Sequence, residues 1–104
     1  MIFSIIKIPH KEKIISSIVG VEPNVKKIFL FGSRARQDNK NPFCDIDIGV
    51  LLERKLSLLQ LGKLNDVIDQ INTLYTIQVV DFTDRKDGFS KEALKTVKVI
   101  YEKK

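Results

Sequence analysis

Apolar residues in this chain fall at two spacings, and the switches between them mark out the elements. Over residues 9–19, Ile14, Ile15, Ile18 and Val19 lie on one helical face. Pro9 suits a first turn, His10 an exposed helix start, and Gly20 a stop before the turn Glu22-Pro23-Asn24. Residues 25–31, VKKIFLF, are rich in branched and aromatic side chains and predict a strand. Ser33 to Gln37 fits a helical turn opening from Gly32, and residues 38–43, DNKNPF, are loop by composition.

The pattern then repeats. Residues 44–52, CDIDIGVLL, predict a second strand in which Asp45 and Asp47 share one face while Ile46 and Ile48 share the other. A helix follows from Ser57 to Asn72, with Leu61, Leu64, Ile68 and Ile71 at helical spacing. Residues 76–82, TIQVVDF, predict a third strand with Asp81 near its end. From Ser90, a capping residue, Leu94, Val97, Ile100 and Tyr101 share a face and predict a last helix. This order of elements indicates an α/β or α+β protein, a small mixed β-sheet with helices packed against it.

Composition narrows the class without naming a function. At 104 residues, with no repeat and no linker-like tract, 1–104 is expected to be a single domain able to bury its own core. Apolar residues make up 43% and charged residues 30%, as in ordinary globular proteins. The single cysteine, Cys44, excludes an internal disulfide framework and is compatible with a reducing, cytoplasmic compartment. Neither a cleavable leader nor a membrane-length apolar run of ~20 residues is apparent, so a soluble protein is expected. The net charge of +5 is spread over every segment, with no aromatic residues interleaved as stacking platforms. Direct nucleic-acid binding is therefore not expected, although the charge would suit a polyphosphate ligand.

The candidate chemistry lies between residues 28 and 49. Two carboxylates on one strand face repel each other unless a cation sits between them. Hard divalent cations such as Mg²⁺ take carboxylate oxygens together with substrate phosphates. A third carboxylate on a neighbouring strand would complete a two-metal site for phosphoryl displacement, and Asp81 is the candidate. Taken alone, Asp45 and Asp47 also fit a solvated strand edge, and Asp81 a residue capping the next turn. Gly32 changes the balance because it lets a ligand approach the backbone, and Ser33 adds a hydroxyl where free N–H groups favour anions. Arg34 and Arg36 carry guanidinium groups that match phosphate geometry.

With these residues together, FGSRAR followed by DIDIGV resembles the signature of the DNA polymerase beta-like nucleotidyltransferase superfamily. More narrowly, the layout IFLFGSRAR, DIDIGVLL and IQVVDF is similar to the minimal nucleotidyltransferases (MNT), over Val25 through Tyr101. The resemblance implies the polymerase beta-like fold, with Gly32 and Ser33 holding the nucleotide triphosphate and Arg34 and Arg36 contacting phosphate. It implies that Asp45 and Asp47 bind two Mg²⁺ ions and that Asp81 is the third carboxylate, ligating the catalytic metal. Two positions depart from the pattern: Gln37 stands where many relatives have Gly, and Cys44 where they have Ser. Cys44 is read as a small buried residue rather than a nucleophile.

Larger members of the superfamily add a helical domain for the acceptor, which these residues do not encode. A partner or self-association is therefore expected to complete the site. In the resembling group the partner is a small helical HEPN-domain protein, in toxin–antitoxin pairs an RNase toxin. The implied function is Mg²⁺-dependent transfer of AMP from ATP to a tyrosine of that toxin, with this chain as antitoxin. The alternatives are a binding antitoxin that has lost catalysis and nucleotidyl transfer to a small molecule such as an aminoglycoside.

Overall fold

A computed structural model describes residues 10–32, 45–71, 73, 75–83, 95 and 97–103. The element order is α1 (Lys11–Val21), β1 (Lys27–Phe31), β2 (Ile46–Leu51), α2 (Leu58–Asp69), β3 (Ile77–Asp81) and β4 (Lys98–Glu102). The strands form one sheet in the order β3-β2-β1-β4. β1 runs antiparallel to both β2 and β4, whereas β2 and β3 are parallel and joined through α2. This is a mixed-sheet α+β fold, within the class that the element order indicated.

Strand alternation divides the sheet into two unlike faces. Ile28, Leu30, Ile46, Ile48, Val50, Ile77 and Val79 point to one side, where Ile14 and Ile18 of α1 and Leu64 and Ile68 of α2 cover them. Helical and strand spacing singled out Ile14, Ile18, Ile46, Ile48, Leu64 and Ile68 among them, and burying each such side chain stabilises the fold by about 1.5–3 kcal/mol. The other face carries Phe29 and Phe31 of β1, which pack edge-on to Phe82 with ring centroids 5.2 and 5.0 Å away. Gly49 pairs with Phe29 across the strands, and a Cβ there would intrude on the ring. The glycine thus lets an aromatic side chain lie across β2.

Both helices begin close to where the sequence placed them, and their ends differ slightly. Ser57 caps α2 through a capping box: its hydroxyl accepts from the Gln60 backbone N–H (3.2 Å), and the Gln60 side chain accepts from the Ser57 N–H (3.0 Å). α2 stops at Asp69, short of the expected Asn72, which lies outside the described residues. Gly20 does not stop α1; the helix runs to Val21, and the Glu22 N–H closes it on the Ile18 carbonyl. His10 sits at the start of α1 with a left-handed φ of 60°. It is half-buried rather than exposed, its ring edge-on to Tyr75 at 6.4 Å.

The C-terminal segment is the main correction. Val97, Ile100 and Tyr101 were assigned to a helix beginning at Ser90, yet Lys98–Glu102 is a strand. Ser90 and Leu94 lie outside the described residues. The run KVIYE carries the branched and aromatic residues that favour a strand, and a four-position apolar spacing in so short a segment fits either period. The free edge of β1 decides it: β4 pairs there through Lys27–Glu102, Ile28–Tyr101, Phe29–Val99 and Leu30–Lys98, with an irregularity between Ile28 and Phe29. An unpaired β1 edge would leave buried backbone groups without partners. Among the described residues, no helix is long and apolar enough to cross a membrane.

Candidate functional site

Antiparallel pairing brings the C-terminal end of β1 against the N-terminal end of β2, because Phe31 pairs with Asp47. Gly32 follows immediately, with φ 79°, a backbone conformation that residues with a Cβ adopt at a cost. A Cβ at Gly32 would also collide with the Asp47 carboxylate. The missing side chain is therefore required twice over, by the turn and by the carboxylate lying against it. Gly32 and Asp47, 15 positions apart in the chain by their numbers, form one corner of the molecule.

Asp45 stands two residues before Asp47, and alternation along the strand puts it on the same face. It is exposed, whereas Asp47 is half-buried, and Ile46 and Ile48 behind them are fully buried. The backbone at Ile46 is pinned by a 2.8 Å hydrogen bond from its N–H to the Thr76 carbonyl. The pair is thus carried on a strand anchored by core residues and by β3. The carboxylate oxygens are hard donors of the kind Mg²⁺ prefers, and that of Asp47 lies where a Cβ at position 32 would sit, directly against the Gly32 backbone. Ser33, Arg34, Arg36, Gln37 and Cys44 lie outside the described residues.

Asp81 does not join this corner. β3 runs parallel to β2 with Asp81 beside Val50, not beside Asp47. Paired residues of neighbouring strands point to the same face, so Asp81 faces the helices, as Val50 does, and Asp47 faces the other way. Asp81 also lies three positions along from Asp47 in the register, about 10 Å at ~3.3 Å per residue. Asp81 as a residue is 7% exposed, and its carboxylate is occupied by local backbone donors. One oxygen accepts from the Leu56 N–H (2.7 Å) and the other from the Thr83 N–H (2.9 Å). The Thr83 hydroxyl in turn accepts from the Leu52 N–H (3.0 Å). Asp81 therefore ties the end of β3 to the loop that leads into α2, as a buried carboxylate satisfied by backbone N–H groups can do.

The expected cluster of three aspartates is accordingly not formed, and among the described residues no three His, Cys, Asp or Glu side chains are grouped to hold a metal. The residue of β3 that pairs with Asp47 is Gln78, which is exposed. The face assignment has an independent check. Val80, paired with Gly49, packs into the phenylalanine cluster, whereas Ile77 and Val79 pack under the helices. The signal for Gln78 was present in TIQVVDF as a polar residue, like Thr76, on the face opposite Asp81, but its neighbour on β2 depends on the strand register. A cavity of about 610 Å³ lies at the other end of the sheet, lined by Glu22, Lys26, Arg54 and Lys55 among others; it does not reach Gly32 or Asp47.

The comparisons with known proteins agree with this fold. A search of curated proteins finds no match. A toxin–antitoxin complex solved with AMP-PNP superposes with a TM-score of 0.71 at 21% identity, covering 89% of this chain and 73% of that one. A structure of a tri-AMPylated HEPN toxin from Shewanella oneidensis in complex with its MNT antitoxin gives 0.67 at 21% identity, with 90% and 71% covered. The toxin–antitoxin pair MntA–HepT gives 0.60 at 21% identity, with 90% and 71% covered. At such identities the likeness speaks for the fold. The model of the family described as polymerase beta, nucleotidyltransferase, matches residues 12–104, which take in nearly every described element and the Gly32–Asp47 corner, and so the chain belongs to the polymerase beta nucleotidyltransferase family.

Proposed function

We propose that this chain is an Mg²⁺-dependent nucleotidyltransferase that transfers AMP from ATP to a tyrosine hydroxyl of a HEPN-type partner, as the antitoxin of a toxin–antitoxin pair. The observation that carries the reading is the Gly32–Asp47 corner: a glycine whose Cβ position is filled by a carboxylate, on a strand that also bears Asp45. Family membership supplies the reaction class. Similar complexes support the partner and the transferred group: one is a HEPN toxin carrying AMP and another a toxin–antitoxin pair with an ATP analogue.

In this reading Gly32 and Ser33 receive the triphosphate, with Arg34 and Arg36 neutralising its charge by paired N–H donors. Asp45 and Asp47 are the residues that would hold Mg²⁺, which when bound offsets the negative charge on the phosphates. The acceptor oxygen forms a bond to the α-phosphorus, the bond to the bridging oxygen of the β-phosphate breaks, and pyrophosphate leaves with that electron pair. The acceptor's proton passes to solvent or to a nearby base. A binding-only antitoxin is the second reading, favoured by the position of Asp81, whose carboxylate is taken up by the Leu56 and Thr83 N–H groups.

The test is incubation with labelled ATP, Mg²⁺ and a HEPN-type partner. Label should reach the partner with the unaltered chain and be lost with Asp45→Asn and with Asp47→Asn. An unlabelled partner in the presence of measurable Mg·ATP binding would leave the binding reading; no affinity for Mg·ATP would exclude both the transferase and any nucleotide role.

A further inference from the structure

The register of β2 against β3 carries one step further, resting on the reading of this corner as a nucleotide site. We propose that Gln78, and not Asp81, is the β3 residue of the site, and that its neutral amide makes this a two-carboxylate centre that takes a single divalent cation with the nucleotide and transfers slowly. Gln78 pairs directly with Asp47 in the parallel register, points to the same face of the sheet and is exposed. Neighbouring strands lie about 4.8 Å apart, so the Gln78 side chain starts beside that of Asp47. No other β3 side chain has this position. Ile77 and Val79 are buried under the helices, Val80 is packed with the phenylalanines, and Asp81 is turned away and occupied.

The chemistry follows from what an amide can and cannot do. A primary amide offers one carbonyl oxygen and two N–H donors and carries no charge. It can orient a phosphate oxygen or the acceptor hydroxyl by hydrogen bonding. It is too weak a base to take the acceptor's proton as the oxygen attacks phosphorus, so that proton must pass to solvent or to a base other than Gln78. It also adds no negative charge to Asp45 and Asp47, and cation affinity at oxygen sites depends on the number of charged ligands. Among the described residues, a second cation would have only the same two carboxylates to share. The expected properties are nucleotide binding with one cation and turnover below what a third carboxylate would support.

The experiment is a comparison of Gln78→Asp, Gln78→Glu and Asp81→Asn with the unaltered chain. Mn²⁺ binding in the presence of a non-hydrolysable ATP analogue is titrated by calorimetry and by the loss of the free-ion paramagnetic resonance signal. The unaltered chain should take one ion. Gln78→Asp should take a second ion, or bind the first about tenfold more tightly, since ligand charge sets such affinities. Transfer by Gln78→Asp should rise, on the order of 10²-fold where a positioned base is restored. Asp81→Asn should leave the ion count unchanged and lower only the stability. A Gln78→Asp variant with unaltered ion count, affinity and transfer overturns the inference, as does loss of ion binding in a folded Asp81→Asn. If the unaltered chain binds no nucleotide at all, the function proposed above fails instead, so the two failures are separable. Gln78→Glu guards against a side chain of the wrong length, and because position 78 is exposed both variants should fold.

Discussion

The two ends of the β2–β3 pair place the same residue type in opposite roles. At one end, Asp47 lies against a glycine with no Cβ, beside exposed Asp45, on the face opposite the one that α1 and α2 cover. At the other, Asp81 is buried and accepts two backbone N–H bonds. The first arrangement puts an exposed carboxylate, that of Asp45, at the mouth of the strand; the second spends its carboxylate on holding a loop. A carboxylate's contribution is thus set by which donors reach it first. Backbone N–H groups at 2.7 and 2.9 Å leave Asp81 little capacity for a cation, whereas Asp45 at the strand's mouth is open to one.

This contrast can be broken most directly by truncating Asp81. Asp81→Ala should leave the Leu56 and Thr83 N–H groups buried without their acceptor and cost about 2–4 kcal/mol of stability in urea unfolding. Asp47→Asn, which keeps the size of a half-buried side chain, should cost less, about 1 kcal/mol, while removing the divalent-dependent part of nucleotide binding. Equal losses of stability in the two variants would mean that the ends do not differ as described.

Gly32→Ala probes the ligand end by steric means. The left-handed φ alone costs an L-residue about 1–2 kcal/mol, and the collision with Asp47 adds to it. Mg·ATP affinity measured by calorimetry should fall in the same variant, because Asp47 must move to accommodate the methyl group. A stable variant with undiminished affinity would show that the close approach of Gly32 to Asp47 is unimportant.

Ser57→Ala tests the loop end from its other side. Removing the hydroxyl from the α2 capping box should cost about 1 kcal/mol in thermal or urea unfolding, with nucleotide affinity unchanged. The smallest effect is expected at the rim. Lys26 and Glu53 approach to 3.8 Å with both side chains well exposed, and Lys26→Ala should shift stability by less than about 0.5 kcal/mol. A larger loss there would mean that the charged cavity at this end orders the Leu52–Leu56 loop more strongly than its Asp81 and Thr83 bonds do.

Much of the molecule is legible without coordinates. The spacing of Ile14 and Ile18, and of Leu64 and Ile68, marks the faces that α1 and α2 bury, and Ser57 with Gln60 marks where α2 begins. These are local properties: a helix repeats every 3.6 residues whatever it packs against, and a capping box needs only its own first turn. The Gly32-Ser33 and Asp45-x-Asp47 motifs are likewise readable, since their chemistry depends on residue type and short spacing.

Two features depended on partners distant in the chain. KVIYE is compatible with either period, and only the open edge of β1 makes it a strand. The third position of the site was assigned to Asp81 because a carboxylate is the obvious ligand, but a strand's alternation says only that Gln78 and Asp81 point opposite ways. It does not say which of them faces Asp47. That choice belongs to the parallel register, in which Asp47 meets Gln78 and Val50 meets Asp81. The sequence by itself determined the helices, three of the strands and the two halves of the motif, because those follow from local periodicity and side-chain chemistry. Only the tertiary structure decided the partner of β1's free edge and the residue beside Asp47, because both are set by hydrogen bonds between strands that no local pattern encodes.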